Sequence, residues 1–393
     1  MNKRWPYKLK RGFLLLAFTP LLLYSQDSDQ QSSLVFNGYV KDMQTCIFQN
    51  IQDNWTYENL IHNRLNFKWL ISPSFTASLE LRNRLVVGNI FSVYPGYDQT
   101  FEVDHGIVNL TKNLIDEKYG LLNTDIDRLW LQYTTGNFQI TAGRQRINWG
   151  QTFVWNPNDI FNSYSYFDFD YEEKPGSDAV RLQYFPSPTS DLEFAVKEND
   201  QKKATFAGLY RFNKWNYDIQ FLGGMMNQSD LVIGSGWSGQ IGGGGFRGEA
   251  TYFHRAKNAK DTTGTFVASI EYDYTFKNSL ALQFETLYNG AHTSTNLFSL
   301  SQLNSSNMSA ENLFLLGSSF FCSLSYPFTP LINASLAGIE NMNYQWFFLI
   351  PSITISLKEN LELSFTAQIL RNAGQNEPDQ NVNLVYARLK KSF

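Results

Sequence analysis

The chain has 393 residues, a formal charge of −4 and an aromatic fraction of 16%, high for a soluble enzyme. Mild acidity disfavours a nucleic-acid binder, and two cysteines, Cys46 and Cys322, form neither a disulfide framework nor a zinc pattern. Mean hydropathy is negative, and past the N-terminus no apolar run approaches the roughly 18 residues of a membrane helix, which excludes a helical membrane protein.

The first element is a secretion signal. Lys3, Arg4, Lys8, Lys10 and Arg11 form a basic start, Phe13 to Leu23 is apolar except at Thr19 and Pro20, and small Ser25 precedes a polar run. This is the three-part pattern of a cleaved signal peptide. Residues 1–25 are read as the signal and 26–393 as the mature chain. Cleavage removes five basic residues and no acidic one, which takes the charge from −4 to −9. Without a cysteine after the apolar run, a lipoprotein anchor is not expected.

The mature chain alternates with period 2. Phe75, Ala77, Leu79 and Leu81 interleave with Thr76, Ser78, Glu80 and Arg82. Val180, Leu182 and Tyr184 interleave with Arg181 and Gln183. Leu361, Leu363, Phe365, Ala367 and Ile369 interleave with Glu362, Ser364, Thr366 and Gln368. A strand with one apolar and one polar face, about 9–11 residues long and ending in aromatic residues, suits the wall of a membrane barrel. In chain order the expected strands are 33–46, 57–72, 74–90, 127–135, 137–147, 177–185, 190–198, 203–213, 215–226, 229–241, 244–255, 263–276, 279–290, 311–326, 330–340, 344–357, 360–371 and 380–393. The predicted fold is therefore all-β, a transmembrane antiparallel up-and-down barrel of about 18 strands (16–18) in the Gram-negative outer membrane. Tight turns at Ser72-Pro73, Thr135-Gly136-Asn137, Asn213-Lys214, Gly242-Gly243, Lys277-Asn278 and Glu359-Asn360 alternate with connections that are often longer. Short periplasmic turns and long extracellular loops are the asymmetry expected of such barrels. The chain ends on Phe393, with Leu389 and Ala387 at alternate positions and Lys391 as a departure. This pattern resembles the signal read by the barrel-insertion machinery.

One connection is distinctive. Residues 148–176 are rich in Trp, Tyr and Phe, which gain by packing against a surface. The nearest surface is the lumen wall, so this outer loop is expected to fold inward. Trp149, Trp155, Asn156 and Pro157 are its expected packing residues, with a short helix starting at Asn156-Pro157. Asp159, Asp168, Asp170, Glu172 and Glu173 would then oppose Arg82, Arg84, Arg128, Arg144 and Arg181 across a pore constriction, where opposed charge selects permeants. Arg144 and Arg146 share parity with apolar Phe138, Ile140 and Ala142. They either sit above the lipid band or are turned inward by a bulge near Gly143.

The segment Gly143-Arg144-Gln145, Trp149-Gly150 and Asn156-Pro157-x-Asp159 resembles a group of porin-like outer-membrane proteins of largely unassigned function. The similarity spans roughly Asp127 to Pro186. It implies a barrel with an inserted loop and supplies no substrate.

Enzyme motifs are poor. Gly243-Gly244-Gly245-Phe246-Arg247-Gly248 matches a dinucleotide fingerprint literally, but lies in a hairpin without βαβ context. The histidines His62, His105, His254 and His292 are scattered, and Gly236-Trp237-Ser238-Gly239 lacks the spacing of a nucleophile elbow. The acidic run Asp168-x-Asp170-x-Glu172-Glu173 lacks the glycine and spacing of a calcium loop. No catalytic residue, metal or cofactor is expected, and pairing of Cys46 with Cys322 stays open. Two readings of function follow: a porin-like channel for small polar solutes with 148–176 as its constriction, or a barrel subunit of a larger outer-membrane assembly or export complex. Expected partners are outer-membrane lipid, the insertion machinery and other outer-membrane proteins or copies of the chain.

Overall fold

A computed structural model describes residues 33–164, 166, 170, 172–256, 264–291, 309–314, 317–342, 346–372 and 381–393. The expected signal segment and Asp168 lie outside the described residues. Nineteen strands form one antiparallel sheet: β1 (Leu34–Phe48), β2 (Thr56–Ser72), β3 (Phe75–Gly88), β4 (Thr111–Glu117), β5 (Gly120–Thr135), β6 (Phe138–Gln145), β7 (Ser177–Ser187), β8 (Ser190–Glu198), β9 (Ala204–Lys214), β10 (Tyr217–Met226), β11 (Asp230–Ile241), β12 (Gly244–Arg255), β13 (Thr265–Thr275), β14 (Ala281–Asn289), β15 (Ser319–Thr329), β16 (Ile332–Asn341), β17 (Trp346–Lys358), β18 (Leu361–Asn372) and β19 (Val382–Ser392). Each pairs with its chain neighbour, except that β3 pairs directly with β5 and β4 only adds a hairpin arm to the far end of β5. β1 pairs with β19 from Tyr39 opposite Ser392 to Phe48 opposite Asn383. The sheet closes into an 18-strand barrel, which leaves no free edge in the wall.

Alternation dictates which side faces what. Leu129, Leu131 and Tyr133 on β5, Val180 on β7, Phe194 and Val196 on β8, and Leu231 and Ile233 on β11 are exposed on the outside. The buried residues between them point inward, and many are polar: Asn123, Glu193, Thr205, Gln220, Glu249, Thr251 and Glu285. This inverts a soluble protein, because lipid solvates the outer face. Aromatic pairs crowd the short-turn end of the outer face, including Phe75–Tyr133 at 4.8 Å, Phe138–Tyr184 at 4.5 Å and Tyr326–Phe328 at 5.2 Å between ring centroids. They sit where an interfacial girdle belongs.

The turns follow from backbone chemistry. Gly242 and Gly243 take φ of +59° and +84° at the β11–β12 hairpin, the left-handed pair that a two-residue hairpin favours. Of the dinucleotide-like match, Gly243 serves this turn, while Gly244, Gly245 and Gly248 lie in β12. Gly38 sits in the closing seam, where it exchanges backbone hydrogen bonds with Phe393 at 3.0 Å each. A Cβ there would lie 2.2 Å from the Arg64 carbonyl oxygen and 3.0 Å from the Phe393 ring.

Three expectations about elements need correction. The connection read as 91–126 contains β4 and the outer half of β5, whose apolar content is too low for a clear period-2 signal. The strand expected from 311 begins at Ser319. Ala310, Leu313 and Phe314 are instead buried, with Phe314 at 6.2 Å from inward Phe348, and Asn289 Nδ2 donates to the Phe314 carbonyl at 2.8 Å. Third, once β4 is set aside the long connections all fall at one end of the barrel, although the β10–β11 connection at that end is itself a three-residue turn. Cys46 on β1 and Cys322 on β15 are free thiols.

Replacing Gly38 by Val should block closure of the seam. The expected outcome is loss of the heat-modifiable, fast-migrating form on electrophoresis in cold detergent. Retention of that form at the wild-type level would show that the seam tolerates a side chain.

Candidate functional site

From the end of β6, the described residues of 146–176 run through the interior of the barrel to β7. Inward residues on β7, β8 and β9 are the small Ala179, Ala195 and Ala207. Against them and against Leu209, Leu222, Val232, Phe253, Val267 and Leu287 pack the buried loop residues Ile147, Trp149, Val154, Trp155, Ile160 and Phe161. Trp149 meets Phe161 edge-on at 4.9 Å. Burial of this many large side chains supplies the apolar drive for insertion, at about 1.5–3 kcal/mol per fully buried side chain.

The loop backbone has no strand beside it, so its amides need other acceptors. Wall glutamates provide them. Glu249 on β12 accepts from the Gln151 and Thr152 amides at 2.9 Å each, the Thr152 hydroxyl at 2.6 Å and the Asn158 amide at 2.8 Å. Glu285 on β14 accepts from the Val154 and Trp155 amides, both at 2.8 Å, and from Ser269 Oγ at 2.7 Å. Glu193 on β8 accepts from the Trp149 indole and from Arg181. Gln220 Nε2 donates to the Trp149 carbonyl at 2.7 Å, and Thr251 Oγ1 to the Pro157 carbonyl at 2.9 Å.

The far part of the loop reaches a wall of opposite charge. Asp170 pairs with Lys41 at 2.7 Å and His62 at 3.1 Å. Burial opposes its charge, but the His62 hydrogen bond and Lys41 outweigh it and hold the carboxyl well below the usual range. Glu172 lies 3.3 Å from Arg388 and 2.6 Å from Lys390. Glu173 accepts from Tyr39 at 3.1 Å and stands 3.5 Å from Arg64. Within the loop, Arg146 pairs with Asp159 at 2.8 Å, and burial pushes Asp159 up to about 6 against that pairing. Lys174 sits 3.2 Å above the Tyr164 ring.

The sequence-derived constellation is thus redistributed. Arg82, Arg84, Arg128 and Arg181 do face inward, and Arg128 holds the loop through the Glu173 and Lys174 carbonyls at 3.0 and 2.6 Å. Arg82 pairs with Asp125 at 2.7 Å, Arg84 donates to Asn123 at 2.8 Å, and Arg181 pairs with Glu193 at 2.5 Å. Arg144 stands opposite Asp178 and Leu129, on the parity of exposed Val180, and is covered by the segment around Gly106. It binds Asp178 at 2.7 Å and Asp104 at 2.8 Å. It therefore does not belong with the lumen group. Among the described residues, Lys41, His62, Arg64, Arg388 and Lys390 of the wall meet the loop acids. Parity could have found them, since Lys41 and Lys390 are each one residue out of step with apolar Val40 and Leu389. Asn156-Pro157 starts no helix. The Asn158 amide is taken by Glu249, and only a turn forms, with the Asp159 amide on the Asn156 carbonyl at 3.1 Å. Among the described residues, no group of three His, Cys, Asp or Glu side chains is placed to hold a metal ion.

The loop leaves a cavity of about 410 Å³ bounded by Phe153, Tyr164 and Tyr166 on one side and by β15–β18 on the other. Among the described residues, its charged lining is Glu172, Lys174 and Arg388.

Glu249→Ala should undock the near half of the loop, because each buried donor left without an acceptor costs about 1–3 kcal/mol. Trypsin added to the folded barrel should then cut after Arg146 faster than in the wild type. Equal resistance would show that apolar packing alone holds the loop.

No family model and no curated protein matches the chain in sequence. Solved structures do match in fold. Pseudomonas aeruginosa OccK11 (OpdR) superposes with a TM-score of 0.58 at 10% identity, covering 92% of this chain and 96% of that one. Acinetobacter baumannii OccAB4 gives 0.53 at 11% identity, covering 93% and 100%. The P. aeruginosa outer membrane protein opdK gives 0.57 at 8% identity, covering 92% and 98%. The closed 18-strand wall is thus the outer-membrane porin fold.

Proposed function

We propose that the chain is a porin-like outer-membrane channel for passive diffusion of small polar solutes, with residues 148–176 as its constriction. The observation that carries this reading is the loop fastened by its own amides to Glu249 and Glu285 beside a lumen cavity. Structurally similar proteins are outer-membrane channels, which supports transport rather than catalysis. The chain would contact outer-membrane lipid, and Phe393, Leu389 and Ala387 would be read by the insertion machinery.

A second reading has one observation in its favour. On the outer face, Asn59 donates to Asp42 at 2.6 Å, Asn83 to Asn63 at 3.2 Å and Thr124 to Asn83 at 3.0 Å. Polar side chains facing lipid are costly, and a protein neighbour, either another outer-membrane protein or a second copy, would relieve that cost. Extraction in mild detergent tests this. A stoichiometric partner favours the assembly reading, and a lone barrel removes it.

Purified protein in planar bilayers should carry ion current, and deletion of 152–172 should enlarge the unitary step. No current from either form would sink the channel reading. Current should also respond to pH through Lys174. Burial and the neighbouring Arg146 lower its pKa to about 8, with Asp159 opposing. A lowered lysine is charged below about 8 and neutral above it, so raising pH from 7 to 9 removes a positive charge from the constriction. Reversal potentials should shift toward cation selectivity over that window, and Lys174→Met should show the shifted value at both pH values.

A further inference from the structure

The wall opposite the loop is made of hydroxyls. On β15 to β18, Ser325 stands directly opposite Ser335, Ser335 opposite Ser352, and Ser352 opposite Thr366. The row ends at Tyr386 on β19, opposite Thr366. One step toward the short turns, Thr354 stands opposite Ser364. Ser335, Ser352, Thr354, Ser364 and Thr366 all line the cavity. Facing them across it are the rings of Phe153, Tyr164 and Tyr166.

The charges at the cavity are engaged elsewhere. Glu172 lies between Arg388 and Lys390, Arg388 also approaches Glu362 at 3.4 Å, and Lys174 lies over Tyr164. Arg388 Nε also donates to Ser364 Oγ at 3.2 Å, so an ionic permeant meets largely paired charge at the Ser364 edge of the hydroxyl wall, whereas the row Ser335, Ser352 and Thr366 is uncharged. A hydroxyl offers one donor and two acceptor sites. Ser352 and Thr366, bonded to each other at 2.8 Å, keep capacity toward the lumen. Such a wall exchanges hydrogen bonds with a permeant hydroxyl in either direction, and an aromatic face opposite suits an apolar C–H face. A solute with many hydroxyls, C–H faces between them and no net charge satisfies both sides. The cavity volume falls within the range of small-molecule sites.

We propose that this slot selects uncharged polyhydroxylated solutes, meaning sugars and polyols of monosaccharide to disaccharide size. The proposal rests on the channel reading and deepens it. The full chain is reconstituted in liposomes, and swelling is measured with mannitol and glucose against tetraethylene glycol and sodium glutamate, with protein-free liposomes subtracted. One retained hydrogen bond is worth about 1 kcal/mol, or about fivefold in rate. Mannitol and glucose should therefore enter about fivefold faster than tetraethylene glycol and faster still than glutamate. The Ser352→Ala, Thr366→Val double variant, checked for the heat-modifiable folded form, should lose that preference. If it does not fold, each single variant should reduce the preference by about half in logarithmic terms. Equal rates for all solutes in a protein that carries ion current would overturn the slot and leave the channel reading intact. So would a preference unchanged in a folded variant. Absence of both ion current and swelling would overturn the channel reading itself.

Discussion

Backbone amides inside a barrel must be satisfied without a strand to pair with, and everything else about the lumen depends on how this chain meets that demand. A loop of aromatic residues gains by entering the barrel, but each amide it carries loses water on the way. Glu249 and Glu285 resolve the conflict by accepting six loop donors between them, five of which are backbone amides. Carboxylates can do this from a β-wall because strand alternation already aims them inward.

Charge is segregated around the circumference. The wall from β8 to β14 presents carboxylates to neutral amides, and the wall at β1, β2 and β19 presents Lys41, His62, Arg64, Arg388 and Lys390 to the loop acids. β5 adds a local solution of its own. Glu80 lies opposite Arg128 and Leu81 opposite Ile126, which leaves Asp127 as an extra residue. This bulge turns both Asp127 and Arg128 inward, so one strand supplies an anion to Arg64 and a cation to the loop carbonyls. Between the two charged walls, β15 to β18 present mainly hydroxyl and apolar side chains to the cavity.

The barrel was legible because lipid and water impose period 2 on every wall strand. Leu361 to Ile369 reads as it folds, whereas the hydrogen bonds of Phe393 to Gly38 across the seam had no signal in the sequence. The inserted segment was legible as a place, from its Trp and Tyr content, but its partners were not. Glu193, Glu249 and Glu285 look in sequence like any polar face of a strand, and nothing local distinguishes a carboxylate that meets water from one that meets an amide. The pairing of Asp170 with Lys41 spans 129 residues, a separation at which one sequence carries no signal. Arg144 failed for a different reason. Its parity was correctly outward, and burial came from the distant segment around Gly106, which period 2 cannot see.

The loop also joins what the sheet joins last. β1 and β19 are the strand neighbours most distant in sequence, and loop-closure entropy places their pairing late. Asp170 grips Lys41 on β1 while Glu172 grips Arg388 and Lys390 on β19, so a single short segment bridges both sides of that junction from within. Its carboxylates act as a clasp: before the two strands meet they can hold only one side, and afterwards they resist parting of the wall. Lateral opening of this barrel and release of its loop are therefore one cooperative event, and a lipid-facing breach at the seam has to break ion pairs inside the lumen.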